Sequence, residues 1–364
     1  MSPFARGGAM ALAAACAFGV TTPLVQRYGA HVGPFATAAL LYAGAALASW
    51  IPFGGPPGAK LAVRHAPRIL LVALAGAVVA PVCLAWGVQR TSAVSASLLL
   101  NMESVFTVLL ARAAFREPIG SRVAAALAAI VAGGVVLVVA SANAGGASEG
   151  ASRASLLGAI AVMAATLAWA IDNALTRPLA ELDPSRVVLA KGALGAIVAT
   201  GLSVIAGEPR PLAGASIALL VCGATGYGAS LRLYLSAQRT LGVARTASVF
   251  AVAPFVGALV AIALGDRPPL LASISAAVLC AIGVALHLTE HHTHRHSHAA
   301  AFHEHTHRHD DAHHDHAHDA SLGVAVGFHG EHSHPHHHDP VTHDHDHAPD
   351  LHHAHDHDHD HDPA

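Results

Sequence analysis

Residues 86–139 read WGVQRTSAVSASLLLNMESVFTVLLARAAFREPIGSRVAAALAAIVAGGVVLVV, and the order of features in this stretch returns later in the chain. The tripeptide Gln-Arg-Thr at 89–91 recurs at 238–240, and an apolar run follows each copy. The prolines that come next, Pro118 and Pro268, are 150 positions apart, and a glycine in the following apolar run keeps the same spacing. A shared tripeptide with two further residues in register indicates a duplicated unit.

The duplicated unit is made of apolar blocks of about 18 to 26 residues, the length that crosses a bilayer at about 1.5 Å per residue. We therefore predict an all-α membrane protein with ten transmembrane helices, five in each half. The predicted spans are 8–26, 34–51, 69–88, 93–111, 123–140, 156–176, 187–206, 212–237, 243–264 and 270–288. The first repeat then covers 8–140, a linker rich in Ala, Gly and Ser covers 141–155, and the second repeat covers 156–288.

Loop charge predicts the orientation. With a cytoplasmic N-terminus, the inner loops hold eleven Lys or Arg residues and the outer loops hold five. Inner loops carry the excess of basic residues in membrane proteins. Because five helices per half is an odd number, the second half must be inserted upside down relative to the first. We expect two inverted repeats in a bacterial inner membrane, with the N-terminus and the C-terminal tail both cytoplasmic.

Short segments within the two halves resemble a known family. They are NMESVF at 101–106 and REP at 116–118, then APFV at 253–256 and GD at 265–266. Together with their repetition they look like the EamA domain of the drug/metabolite transporter superfamily, over about residues 8–288. The resemblance implies a ten-helix secondary carrier with both termini inside and a substrate cavity between the halves. Two positions depart from the family: Ser104 stands where Pro is frequent, and Asp266 where Glu is frequent.

The leading functional hypothesis is a secondary transporter that exports a small metabolite or drug-like solute, with proton coupling left open. One alternative is a divalent metal efflux permease for Ni, Co or Zn, fed by a His-rich tail, although the membrane helices contain almost no histidine. Another is a membrane-tethered metal-storage module. The expected partners are the lipid bilayer, a small-molecule substrate and metal ions, with a homodimer left open. No nucleophile–base pattern or phosphate-binding loop is present, so neither an enzyme nor nucleic-acid binding is expected.

Glu103 is the main candidate for a coupling residue. It lies near the middle of the predicted span 93–111, where a charge costs about 2.5–3.5 kcal/mol on insertion scales. Glu103 either binds a proton and the substrate in alternating states, or makes a helix–helix hydrogen bond. Asn101 faces nearly the opposite way, because two residues on a helix are about 200° apart. Asn101 shares a stripe with Ser97 and Ser104 that is typical of helix–helix contacts, and the sequence leaves open which face lines the cavity.

Other polar and aromatic residues in the membrane are further candidates. Asp172, Lys191 and Arg232 lie near helix ends, and we expect Asp172 to pair with Lys191 or Arg232, as an inner gate or as a static pair. The aromatic and amide residues at helical spacing are expected either to line the cavity or to pack at the membrane interface. These are Trp86, Gln89, Trp169, Tyr227, Tyr234 and Gln238.

The tail, residues 290–364, differs in composition from the rest of the chain. It holds 28 of the 31 histidines, with 15 acidic residues and 2 arginines. Few apolar residues are available for burial, so we predict disorder. H-x-H spacing presents two imidazoles together and suits Zn, Ni, Co or Cu. Non-stoichiometric ligands are expected at His343, His345, His347, His355, His357, His359 and His361. No cofactor is expected to be required, and the tail is interpreted as a metal buffer or sensor.

Overall fold

The structure is a computed structural model that describes most of the chain. The described residues are 3–51, 61–115, 120–143, 149–176, 179, 182–241, 243–288, 292–298, 301–307, 332–338 and 341–347. Up to residue 288 these residues are almost entirely helical. The predicted all-α membrane part is confirmed at this level.

The first half contains eight α-helices and one π-helical segment within the described residues. They are α1 (Pro3–Gly19), α2 (Thr21–Tyr28), α3 (Pro34–Ala48), α4 (Ala66–Val72), π1 (Ala73–Val79), α5 (Ala80–Val88), α6 (Ala93–Leu99), α7 (Met102–Phe115) and α8 (Ser121–Asn143). A 3₁₀ turn, Val63–His65, precedes α4. Several of these elements run on directly from one another, so α4, π1 and α5 form one continuous rod.

The second half repeats this arrangement. Its elements are α9 (Glu149–Thr176), α10 (Pro184–Ile205), α11 (Ala213–Cys222), π2 (Gly223–Ala229), α12 (Ser230–Leu241), α13 (Val243–Phe250), α14 (Ala253–Ala263) and α15 (Leu270–Leu288). The two π-helical segments begin 150 positions apart, and so do the prolines that start α3 and α10. The sequence duplication is therefore also a duplication of local structure.

Different residues produce the equivalent irregularities. Pro81, in the first turn of α5, lacks a backbone N–H donor and lies two residues after the end of π1, whereas π2 has three glycines in the sequence GATGYGA. The interruption between α13 and α14 precedes Pro254, which occupies the first turn of α14. At the matching interruption between α6 and α7, Ser104 stands in place of proline. There Ser104 Oγ donates a hydrogen bond to the carbonyl oxygen of Asn101 at 2.7 Å, so a side chain stabilises the break that proline imposes in the other half.

Eight helical stretches in the described part of the chain are long and apolar enough to cross a membrane. They are Ala5–Tyr28, Val63–Val88, Ala93–Leu110, Ser121–Ala140, Gly150–Thr176, Pro184–Ile205, Ala213–Gln238 and Arg245–Ala263. The other two predicted spans, 34–51 and 270–288, correspond to shorter apolar helices, Pro34–Ala48 and Leu270–Leu286. Length and composition thus support eight crossings, and the prediction of ten goes beyond them.

Helices of the two halves pack against each other reciprocally. Helix α3 packs against its equivalent α10, and α8 against its equivalent α15. Helix α1 packs on α12, while α9, the equivalent of α1, packs on α5, the equivalent of α12. Exchanging the halves therefore restores the same contacts. The main core lies between the halves, with fully buried Leu41, Leu84 and Leu219 among its largest side chains.

The described parts of the tail are extended. They form β1 (His292–His298), β2 (Ala301–His307), β3 (His332–His338) and β4 (Val341–His347). β1 pairs antiparallel with β4 and β2 with β3, which places His294 opposite His345 and His296 opposite His343. The structure differs here from the predicted disorder, since antiparallel pairing satisfies backbone hydrogen bonds without an apolar core. The rest of 290–364 lies outside the described residues.

Candidate functional site

A cavity of about 120 Å³ lies between the two halves. Its walls come from α1, α3, α7, α9, α10, π2, α12 and α13, so both repeats contribute. The lining side chains are mainly aromatic and charged. They include Phe18, Tyr42, Glu103, Trp169, Asp172, Asn173, Lys191, Tyr227, Tyr234 and Phe250. Aromatic walls with a few polar groups are typical of small-molecule sites.

Glu103 lines this cavity and is bonded across the halves. Asn173 Nδ2, on α9, donates a hydrogen bond to Glu103 Oε1 at 2.6 Å. Glu103 Oε2 accepts no hydrogen bond from any residue that the structure describes, and the side chain is only partly buried. One carboxylate oxygen thus remains available to a solute or a proton in the cavity.

The interruption between α6 and α7 determines which face of this stretch lines the cavity. Asn101 is buried, and its Nδ2 donates to the carbonyl oxygen of Leu98 at 2.9 Å. Asn101 is not among the cavity residues, so Glu103 is on the lining face and Asn101 is not. Asn101 and Ser104 both donate to backbone oxygens within the interruption itself, and their part in a helix–helix stripe stays a prediction.

Asp172 and Lys191 form a buried ion pair at one end of the cavity. Lys191 Nζ contacts Asp172 Oδ2, with side-chain exposures of 8% and 5%. The alternative pairing of Asp172 with Arg232 is wrong. Arg232 instead donates from Nη1 to Ala48 O and from Nη2 to Ile51 O, both at 2.8 Å. Its guanidinium therefore satisfies free carbonyls at and just beyond the C-terminus of α3.

A backbone carbonyl in π1 positions two of the aromatic side chains that line the cavity. Trp169 Nε1 donates to Gly76 O at 3.2 Å, and the Tyr42 hydroxyl donates to the same oxygen. Asp172 packs so close to Gly76 that a Cβ atom at this position would overlap its carboxylate. The π-helical segment thus holds both rings and leaves room for the acid beside them.

The other aromatic and amide candidates separate into two groups. Trp169, Tyr227 and Tyr234 line the cavity. Trp86 is not among the residues that line the cavity. Its ring instead contacts Arg90, whose guanidinium carbon lies 3.8 Å from the ring centre. Gln89 is also elsewhere, since its Nε2 donates to Gln26 O at 3.0 Å. Gln238 lies one turn beyond Tyr234 and outside the lining.

The cavity residues that sequence reasoning missed include Phe18, Tyr42, Asn173 and Phe250. Asn173 could have been found from the sequence, because it is an uncharged polar residue beside Asp172 that follows the apolar run LAWAI of α9. The three aromatic residues offered no such signal, since isolated Phe and Tyr residues are ordinary in apolar helices. Their rings contact one another only after folding, with the Phe18 and Tyr227 centroids 5.7 Å apart.

Two carboxylates of the second half cap helices of the first half. Glu208 accepts hydrogen bonds from Phe35 N at 3.1 Å and Ala36 N at 2.8 Å, at the start of α3. Asp266 Oδ2 accepts from Val94 N at 2.9 Å, at the start of α6. Carboxylates at helix N-termini are favourable for both the hydrogen bond and the helix dipole. The shorter Asp at 266 thus serves as a cap in a loop where the family often has Glu.

Metal sites were expected in the tail alone, and only part of that expectation falls on described residues. Within the described residues, no three His, Cys, Asp or Glu side chains come close enough to hold a metal ion. His343, His345 and His347 lie in β4, whereas His355, His357, His359 and His361 lie outside the described residues. Metal binding by the tail therefore stays a prediction.

Comparison with known proteins gives matches of three kinds. The sequence profile of the EamA-like transporter family matches residues 5–140 and again 156–289. An uncharacterized transporter of Methanothermobacter thermautotrophicus is 30% identical over 203 residues, which cover 55% of this chain and 58% of that relative. A crystal structure of another protein superposes with a TM-score of 0.53 at 17% identity, covering 78% of this chain and 96% of the other. At that identity the last match concerns the fold alone.

Proposed function

Because the chain belongs to the EamA-like transporter family, within the drug/metabolite transporter superfamily, we propose that it is a secondary carrier that exports a small solute through the cavity between its halves. The chain is an integral membrane transporter with two EamA repeats, as its sequence resemblance predicted. The observation that carries the finer proposal is the bond from Asn173 to Glu103, which joins the two repeats inside an aromatic cavity.

Alternating access is the proposed mechanism, with the halves related as inverted repeats. The reciprocal packing of equivalent helices supports a two-fold relation. Inversion further requires α3 and α15 to cross the membrane, giving ten spans. Helix α3 has 15 residues, about 22 Å at 1.5 Å per residue, so its ends must extend through the adjoining turns to match the bilayer.

The proposed orientation makes the described state open toward the cytoplasm. With the N-terminus inside, the caps by Glu208 and Asp266 lie at the outer face and bind the halves together there. Cavity residues Asp172 and Asn173 lie one turn before the inner end of α9. Export then requires the outer caps to separate as the inner end closes around Asp172 and Lys191.

Glu103 is proposed as the coupling group. A carboxylate in the membrane interior is costly as an anion, so it favours a bound proton or a bound cation. If Glu103 binds either the proton or a cationic solute, but not both at once, proton movement is coupled to solute movement. The free Oε2 atom and the cross-repeat bond to Oε1 support this role, since closing of the halves changes the surroundings of the acid.

The tail is proposed as a cytoplasmic metal buffer or sensor. The histidine-rich composition and the register that sets His294 opposite His345 support metal affinity. A metal efflux permease is less well supported, because the described residues that line the cavity include no His or Cys. Metal storage alone leaves the two repeats and their cavity without a use.

Transport by reconstituted protein tests the proposal and separates the alternatives. We expect proteoliposomes with the full chain, and with a variant truncated after Glu290, to show equal counterflow of the transported solute in a metabolite screen. Truncation should lower bound Ni²⁺ in equilibrium dialysis by at least about tenfold, the loss that removal of most histidines implies. Saturable Ni²⁺ uptake without solute counterflow would support the efflux permease instead. Ni²⁺ binding by the full chain with neither solute counterflow nor Ni²⁺ uptake would support storage.

A further inference from the structure

Aromatic rings form most of the cavity wall and hold one another in place. Phe18 lies at the centre of the group, with its ring centroid 5.9 Å from that of Trp169 and 5.6 Å from that of Phe250. The Tyr42 and Tyr227 centroids are 5.3 Å apart, and those of Tyr234 and Phe250 are 4.9 Å apart. Six rings from both halves therefore surround one small space.

The polar atoms of the wall are mostly engaged already. Trp169 Nε1 and the Tyr42 hydroxyl donate to Gly76 O. Ser230 Oγ donates to Ala14 O at 2.8 Å, and Asn173 Nδ2 donates to Glu103. A solute that depends on many hydrogen bonds, such as a sugar, would find few partners here. Among the described lining residues, the wall offers ring faces, a carboxylate oxygen of Glu103 and the Tyr227 hydroxyl, which is buried without a hydrogen-bond partner.

The charges of the wall do not cancel. Among the described lining residues there are two carboxylates, Glu103 and Asp172, and one cation, Lys191. Lys191 is paired with Asp172. The ionised Glu103 therefore leaves the cavity with one negative charge that no described cation of the wall neutralises.

We propose that the solute is a small organic monocation, an amine or quaternary ammonium with an apolar body, whose charged nitrogen lies between Glu103 and the aromatic rings. This rests on the proposed carrier function and specifies the substrate class of the same cavity. Aromatic faces attract cations through the ring quadrupole, by about 0.5–2 kcal/mol per ring. An anion would meet like charge at Glu103. The cavity volume limits the solute to roughly the size of one substituted ring.

Binding of a permanently charged probe tests this class. The probe is radiolabelled phenyltrimethylammonium, and its neutral isostere tert-butylbenzene and the anion benzoate serve as competitors. We expect purified full-length protein to bind the cation saturably and the two competitors at least about tenfold more weakly. Equal or tighter binding of tert-butylbenzene or benzoate would overturn the proposal.

Variants identify the groups that bind the charge. Tyr227→Leu removes a central ring and should weaken binding of the cation about fivefold, whereas Tyr227→Phe keeps the ring and should bind within about twofold of the wild type. Glu103→Gln should weaken binding of the cation more than either Tyr227 variant does. Thermal unfolding of each variant shows whether it is folded. Unchanged affinity in folded Tyr227→Leu and Glu103→Gln would contradict the proposal.

The counterflow and binding experiments can contradict the carrier function and the substrate class independently. If the protein shows counterflow of another solute but does not bind the cation, the carrier stands and the monocation is wrong. If it shows no counterflow of any solute and no binding, both are wrong.

Discussion

Replacement of Glu103 by glutamine is expected to abolish transport against a gradient while the protein stays folded. Glutamine retains an oxygen for Asn173 but can neither be ionised nor exchange a proton. We expect the initial rate of uphill transport into proteoliposomes under a pH gradient to fall at least about tenfold, equivalent to about 1.4 kcal/mol. Downhill exchange of the solute should lose its dependence on pH.

The matched control for Glu103 is Asp183→Asn. Asp183 is a carboxylate outside the cavity whose side chain accepts from Ser185 N at 2.9 Å as the N-cap of α10. Asparagine caps helices about as well as aspartate, so this variant should transport normally. If Glu103→Gln still concentrates solute with an unchanged pH profile, Glu103 is only a helix–helix contact.

Loss of Lys191 alone is expected to be the most destabilising change in the cavity. Lys191→Met leaves Asp172 buried without its cation, and breaking a buried pair costs about 3–5 kcal/mol. We expect a large fall in the midpoint of thermal unfolding in detergent. The double variant Asp172→Asn with Lys191→Met removes both charges and should recover most of the lost stability, because no unpaired charge remains.

Transport by the double variant distinguishes a gate from a static pair. A gate that opens and closes needs the charged groups, so the double variant should be stable but slow. Normal transport by the stable double variant would show that the pair is structural. Equal stability of Lys191→Met and the wild type would contradict the buried pair itself.

The sequence predicted the repeat and its period because duplication preserves prolines and glycines in register. The equivalent starts of α3 and α10, and of π1 and π2, follow that register in the structure. The interruption after Leu99 was not predicted, since Ser104 replaces the proline that marks the equivalent place in the second half. Side-chain hydrogen bonds of Asn101 and Ser104 stabilise the break between α6 and α7, and a hydropathy pattern does not reveal such bonds.

The cavity was predictable only in part. Charged residues within a membrane helix are rare and usually functional, so Glu103, Asp172 and Lys191 could be identified from their charge alone. The position of Trp86 was left open, because helical spacing does not show that Arg90, one turn later, stacks on its ring. The choice between Lys191 and Arg232 as the partner of Asp172 was left open, because a guanidinium satisfies carbonyls as well as carboxylates, and Arg232 donates to carbonyls at the C-terminus of α3. Such choices depend on neighbours distant in sequence.

The central claim is that the two repeats are inverted, and the sidedness of equivalent residues tests it most directly. Arg64 and Gly214 are exposed and lie 150 positions apart. Arg64 lies in the turn before α4, and Gly214 lies in the first turn of the equivalent helix α11. Each is replaced by cysteine, as is His31, in a chain whose four native cysteines are alanine, and intact cells are treated with a membrane-impermeant maleimide. The account predicts labelling at 214 and 31 but not at 64. Labelling of 64 and 214 from the same side would contradict it.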